Sequence, residues 1–168
     1  MVSGYPVKEK ILNNLQSIQD NGSAASPATG LGLITAGSAY YTDVETITRI
    51  EAGPMDLTMF PAIIIAPVNT DYDLEGSQGT TTLAAKYRVQ LTLILRTRDD
   101  AVQKIEQFIR DCHKAILVDR TRGGQAIWTR AVADEVFYPT DDDEPYTTAN
   151  LLLEILYRTK VDDLNQST

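Results

Sequence analysis

The side chains best suited to chemistry in this chain fall in three places. His113 is the sole histidine and lies beside Cys112, the sole cysteine. Neighbouring residues of a helix point about 100° apart, so the two cannot readily hold one metal ion. No serine or second thiol stands ready to make His113 the base of a nucleophilic pair. Asp141, Asp142, Asp143 and Glu144 gather four carboxylates, the oxygen-rich set that calcium or magnesium favours. That run lacks the alternating ligands and central glycine of a calcium loop, so it reads as a solvated acidic loop. Arg120-Thr121-Arg122-Gly123-Gly124 sets two guanidinium forks beside a glycine turn, which suits an oxyanion. The segment has no GxxxxGK[ST] pattern and follows a helix C-terminus, the wrong end of the dipole for an anion. Its arginines suit helix-end carbonyls or the acids of a neighbouring subunit better. The expectation is a protein that is not an enzyme, with no catalytic group, no cofactor and no metal site.

The elements that must position these residues are clearest between Leu83 and Leu117. Leu83, Ala85, Tyr87, Val89, Leu91, Leu93 and Leu95 alternate with Lys86, Arg88, Gln90, Thr92 and Arg96, which predicts a strand buried on one side. After Arg98 the spacing becomes Val102, Ile105, Ile109, Cys112 and Ile116, a single helical stripe, with Asp99 or Asp100 placed to cap its first amides. Cys112 lies on that stripe and reads as a small buried hydrophobe. Upstream, Val7, Ile11, Leu15 and Ile18 predict a helix from Pro6 to about Asp20. Residues 23–39 are mostly Ser, Ala, Gly and Thr and predict a long arm with little to bury. Tyr40 to Ile50 reads as a strand, and Ile63-Ile64-Ile65 between Pro61 and Pro67 as a short strand covered on both faces. A second polar connection spans 69–82. Gln125 to Phe137 and Leu151 to Tyr157 supply two more strands, separated by an acidic loop, and 161–168 reads as a frayed tail.

The order α-β-β-β-α-β-β predicts one α+β domain over 1–168. Its mostly antiparallel sheet of about five strands carries two main helices on one face. At 168 residues, 43% hydrophobic and 23% charged, the chain has the composition of one globular domain. A net charge of −8 argues against a sequence-reading grip on nucleic acid, although DNA can pass nearby. No apolar run reaches the roughly 20 residues of a membrane span, and a lone cysteine suits a reducing cytoplasm. Two long connections and uncovered sheet edges call for a partner, and a second copy of the chain could be that partner.

The layout resembles that of tailed-phage tail terminator proteins, also called tail completion or neck proteins. The resemblance is carried by the helix Val7 to Ile18, the strand Phe60-Pro61-Ala62-Ile63-Ile64-Ile65, the strand Tyr87 to Leu95, the helix Ile105 to Asp111 and the strand Leu153 to Arg158. It implies a virion protein, made in the host bacterial cytoplasm, that closes into a ring of six at the head-proximal end of the tail tube. Such a ring ends tube polymerisation and seats the head connector or stopper, with DNA passing through the channel unbound. Its implied partners are itself, the tail tube protein and that connector, with no membrane. The net charge suggests an acidic channel wall, since six copies would carry about −48. Tyr72, Asp73 and Leu74, Arg120 and Arg122, and Asp141, Asp142, Asp143 and Glu144 are the expected assembly contacts, arginines facing acids across a partly buried interface. The alternatives are another head-tail connector or minor tail component and, from a different class, a small metal-dependent cytoplasmic enzyme.

Overall fold

A computed structural model of the chain describes residues 6–37, 39–49, 57–73, 82–139 and 145–160. Residues 74–81 of the expected connection 69–82, residues 140–144 of the expected acidic loop and the expected tail 161–168 lie outside those described residues. Seven elements follow one another: α1 (Val7–Gln16), β1 (Thr46–Arg49), β2 (Ala62–Asp73), β3 (Thr82–Arg96), α2 (Ala101–Val118), β4 (Trp128–Phe137) and β5 (Tyr146–Lys160), with a short 3-10 turn at Gly30–Leu33. The strands form one sheet in the order β1-β2-β3-β5-β4, antiparallel throughout except for the β1–β2 pair. This is the expected α+β architecture, with strand and helix order as read from the sequence.

β3 is the spine, because its period-two pattern is long enough to pair along its whole length with β5, from Thr82 opposite Lys160 to Arg96 opposite Tyr146. One sheet face takes Val89, Leu91 and Leu93 of β3 and Leu151, Leu153 and Ile155 of β5, all fully buried. α1 and α2 supply the rest of that core through Ile11, Leu15, Ile105, Phe108, Cys112 and Ala115. Burying such side chains is worth roughly 1.5–3 kcal/mol each before chain entropy is counted. On the other face, Ala62, Ile64 and Ile94 make a small second cluster under Leu57, Phe60 and Tyr146, so the isoleucine run is indeed covered on both sides.

Several expected boundaries move, each for a local reason. α1 ends at Gln16 rather than about Asp20, because Ser17 turns left-handed at φ 63°. Its hydroxyl donates to the Thr29 carbonyl and accepts from the Gly32 amide at 2.6 Å, contacts that a continued helix would lose. Pro6 flanks the helix instead of opening it. The arm 23–39 does bury apolar surface: Leu31 and Ile34 are fully enclosed, and Gly30, at φ 58°, passes so close to α1 that a Cβ would lie 2.3 Å from the Asn14 carbonyl oxygen. The expected strand Tyr40 to Ile50 shrinks to β1, and Ile50 lies outside the described residues. Before β1, the Tyr41 and Thr42 amides donate to one oxygen of the buried Asp111 at 2.9 and 2.7 Å, which straps this stretch across α2.

β2 runs on to Asp73, into what reads as connection, and β5 begins at Tyr146, inside what reads as the acidic loop. α2 opens from Asp100 at φ 55°, whose side chain makes no capping bond, so the expected carboxylate cap is absent. Val102 is 61% exposed, and the packed stripe runs instead through Ile105, Phe108, Ile109, Cys112, Ala115 and Ile116. No described helix is long and apolar enough to cross a membrane.

Candidate functional surface

Both helices lie on one sheet face, so the side chains that alternate away from them define the surface of greatest interest. Strand register places Asn69, Arg88, Glu154 and Arg130 in one row across four strands. Glu154 is only 6% exposed although no helix covers it. Its carboxylate is enclosed by cations from the neighbouring strands: Arg130 Nη2 at 2.8 Å, Arg88 Nε at 3.7 Å and Lys86 Nζ at 3.9 Å. Arg88 continues the row to Asp71 at 3.1 Å, and Arg130 stacks on Trp128 at 4.6 Å from the ring centre. The aliphatic stems of these cations exclude water from the carboxylate, while their charges repay its desolvation.

The same alternation puts six of the 15 Lys and Arg residues on this face: Lys86, Arg88, Arg96, Arg130, Arg158 and Lys160. Opposing them are Asp71, Asp73, Glu135 and Glu154. The other described residues carry nine cations and ten carboxylates, and nine further carboxylates fall within 50–56, 74–81, 140–144 and 161–168, outside the described residues, so the net −8 of the chain stems mainly from those segments.

The expected contact residues part company. Tyr72 and Asp73 end β2 on opposite faces of the sheet. Tyr72 packs on the core and is hydrogen-bonded to Tyr157, and Lys8 Nζ lies 5.8 Å from its ring centre and 5.4 Å from that of Tyr87. Burial, then the neighbouring Tyr72, pushes the Tyr157 hydroxyl above its usual range, and burial pushes Tyr87 up to about 12. Arg120 is exposed, as a contact would require. Arg122 is not available to a neighbour: it is wholly buried, donating to Asn14 Oδ1 at 3.2 Å and to the Ile116 carbonyl at the end of α2. This corrects its expected assembly role and agrees with its reading as a helix-end residue. Burial pulls the Arg122 guanidinium down to about 10, against the opposing charge of Asp119. Leu74, Asp141, Asp142, Asp143 and Glu144 lie outside the described residues.

Cys112 is fully buried, and burial, aided by Asp111, holds its thiol protonated; His113 beside it is exposed. Among the described residues no group of three or more His, Cys, Asp or Glu is placed to hold a metal ion. The surface clefts are shallow and mixed in character; the one between α1 and β1, about 370 Å³, is lined by Glu9, Asn13, Gln16 and Arg49, which already bond one another.

Sequence reasoning missed Glu154 and Arg130 as a pair, and it missed Arg49. The usable signal for the first was a lone acid between Leu153 and Ile155 in a strand whose neighbour carries Lys86 and Arg88 on the face away from the core. Arg49 sends its guanidinium to Glu9, Asn13 and Gln16 of α1, a helix 33 to 40 residues earlier in the chain, which no local pattern announces. No family model matches this sequence, and no curated protein matches it.

Proposed function

We propose that this chain is a structural subunit of a phage tail, a tail terminator that closes into a ring on the head-proximal end of the tube and seats the head connector. The observation that carries the reading is the one-sided sheet. Both helices cover one face, while the other offers a patterned surface of ion pairs and half-buried Leu152, Leu156 and Trp128, shaped for contact rather than for a small ligand. The element order shared with the resemblance described above supports the same reading. A ring of identical subunits uses one head-to-tail interface repeatedly, and its rotation limits the copy number.

The cation-rich sheet face looks away from the DNA, because a surplus of cations on the channel wall would hold the duplex as it passes. The experiment is negative-stain imaging of tails assembled without this protein. Tubes of uncontrolled length are the expected result, and tubes of normal uniform length overturn the reading.

A further inference from the structure

The two edges of the sheet are not alike, and the difference singles out one strand. At the β1 edge, Gln16 Nε2 donates to the Ile47 carbonyl, and Arg49 is tied to α1, so helix side chains occupy that border. At the other edge β4 runs for ten residues, and among the described residues no element pairs with its outer side. It is flanked and studded by exposed Ile127, Val132, Phe137 and Tyr138, each 43–47% exposed. A long unpaired edge that exposes apolar side chains among its charges is a template for another strand.

The sequence of β4 names the strand it fits. Ala131 pairs with Leu153 and Ala133 with Leu152, so Val132 is the extra residue of a bulge. The bulge shifts the face alternation halfway along. Trp128 and Arg130 therefore share the cation-rich face with Ala133, Glu135 and Phe137, while Thr129, Ala131, Asp134 and Val136 share the helix side.

In an unbulged strand of ten residues the first and last lie on opposite faces, and laying the strand antiparallel on a copy of itself, end to end, would mismatch every pair. With the bulge, the four pairs on either side of it match, and the central one sets the bulged Val132 beside Ala133 of the second copy. Trp128 comes opposite Phe137 of the second copy and Arg130 opposite Glu135 on one face; Thr129 meets Val136 and Ala131 meets Asp134 on the other. Two symmetry-related aromatic pairs and two opposite-charge pairs are the cross-strand combinations that stabilise an antiparallel ladder.

We propose that β4 is a self-complementary edge through which two copies of this chain join about a two-fold axis into one continuous ten-stranded sheet. The pairing is isologous, so it turns the two subunits opposite ways and cannot be the head-to-tail contact of a ring. It is a form of the free subunit, and the inference stands independently of the tail reading.

Sedimentation of the full chain over a roughly hundredfold range of concentration tests it. A monomer–dimer equilibrium is expected. Glu135→Lys sets like charges opposite at two positions and should raise the dissociation constant about tenfold or more. Val132→Lys should abolish the dimer, and both variants should keep the parent circular dichroism, since both positions are exposed on the monomer. The register is read by mixing Trp128→Cys with Phe137→Cys under oxidation: the mixture should give a covalent dimer and each variant alone none, Cys112 being buried. A chain that stays monomeric throughout, a dimer indifferent to both lysines, or cross-linking by either cysteine variant alone overturns the inference. A six-membered assembly indifferent to both lysines also overturns it while leaving the ring reading standing.

Discussion

The β1 side of the molecule and the β4 side solve the same problem in opposite ways. β1 has four residues, its strand partner β2 is parallel, and its border is held by long-range bonds from α1. β4 has ten residues, pairs antiparallel with the well-buried β5, and among the described residues has no partner beyond. A strand as short as β1 has little ladder of its own, so it depends on what is packed beside it. β4 carries its own ladder and can leave its outer groups facing water. The side with the weaker strand is thus closed by tertiary contacts, and the side with the stronger strand is the one able to accept a partner.

The sharpest way to break this contrast is to unseat the seal on the β1 side. Gly30 sits at φ 58° with no room for a side chain, its would-be Cβ lying 2.3 Å from the Asn14 oxygen and 2.8 Å from that of Leu15. Both obstacles are backbone atoms at the end of α1 and cannot step aside. Gly30→Ala should cost about 3–5 kcal/mol, read by urea unfolding, because α1 or the 3-10 turn must move away. A loss below about 1 kcal/mol would mean that the arm is not wedged against α1.

Arg49→Leu is gentler. It removes the bonds to Glu9, Asn13 and Gln16 and leaves the buried Asn13 without its cation, for an expected loss of about 1–3 kcal/mol. Hydrogen exchange sharpens the comparison: amides of Thr46–Arg49 should exchange faster in this variant while those of Trp128–Phe137 keep the parent rates. Equal acceleration on both sides would show that the two edges are not independently held.

How much of this was legible in the sequence follows the range of the interactions. β3 and α2 were readable because their patterns are local, period two from Leu83 to Leu95 and then a helical stripe through Ile105, Ile109, Cys112 and Ile116. The end of α1 was not, because Ser17 stops the helix through Thr29 and Gly32, residues that a helical count does not connect to it. Asp111 precedes Cys112 of that stripe with no local sign of a role, yet its carboxylate is consumed by two amides 69 and 70 residues away. The arm 23–39 was misjudged on composition: three large anchors, Leu31, Leu33 and Ile34, suffice when they fall together against a helix end. Of the surface, the alternation exposed Lys86 and Arg88, but the enclosure of Glu154 needs β4 and β5 side by side, a pairing the linear sequence leaves open. The bulge at Val132 has no signal in composition at all.

The smallest effect expected comes from the turn that joins the two sides. Asp119 follows α2, takes hydrogen bonds from the Gly123 amide at 2.6 Å and from the Thr121 amide and hydroxyl, and accepts from Asn14 of α1 at 3.3 Å. Partial burial alone would raise its carboxyl, but those donors and the charge of Arg122 outweigh it and hold the group below the ordinary 3.8. A carboxylate depressed in the folded state stabilises the fold above the unfolded value and loses that contribution as pH falls through the folded one. Asp119→Asn removes the charge at every pH, so the variant should be less stable than the parent at neutrality and should converge with it as the solution is acidified well below pH 3.8. Thermal melts of both proteins between neutrality and strong acid measure the gap. A gap that persists undiminished in acid would assign the role of Asp119 to its shape in the turn rather than to its charge. The bond from Asn14 would then be the part that holds α1, and with it the closed edge, to the end of α2.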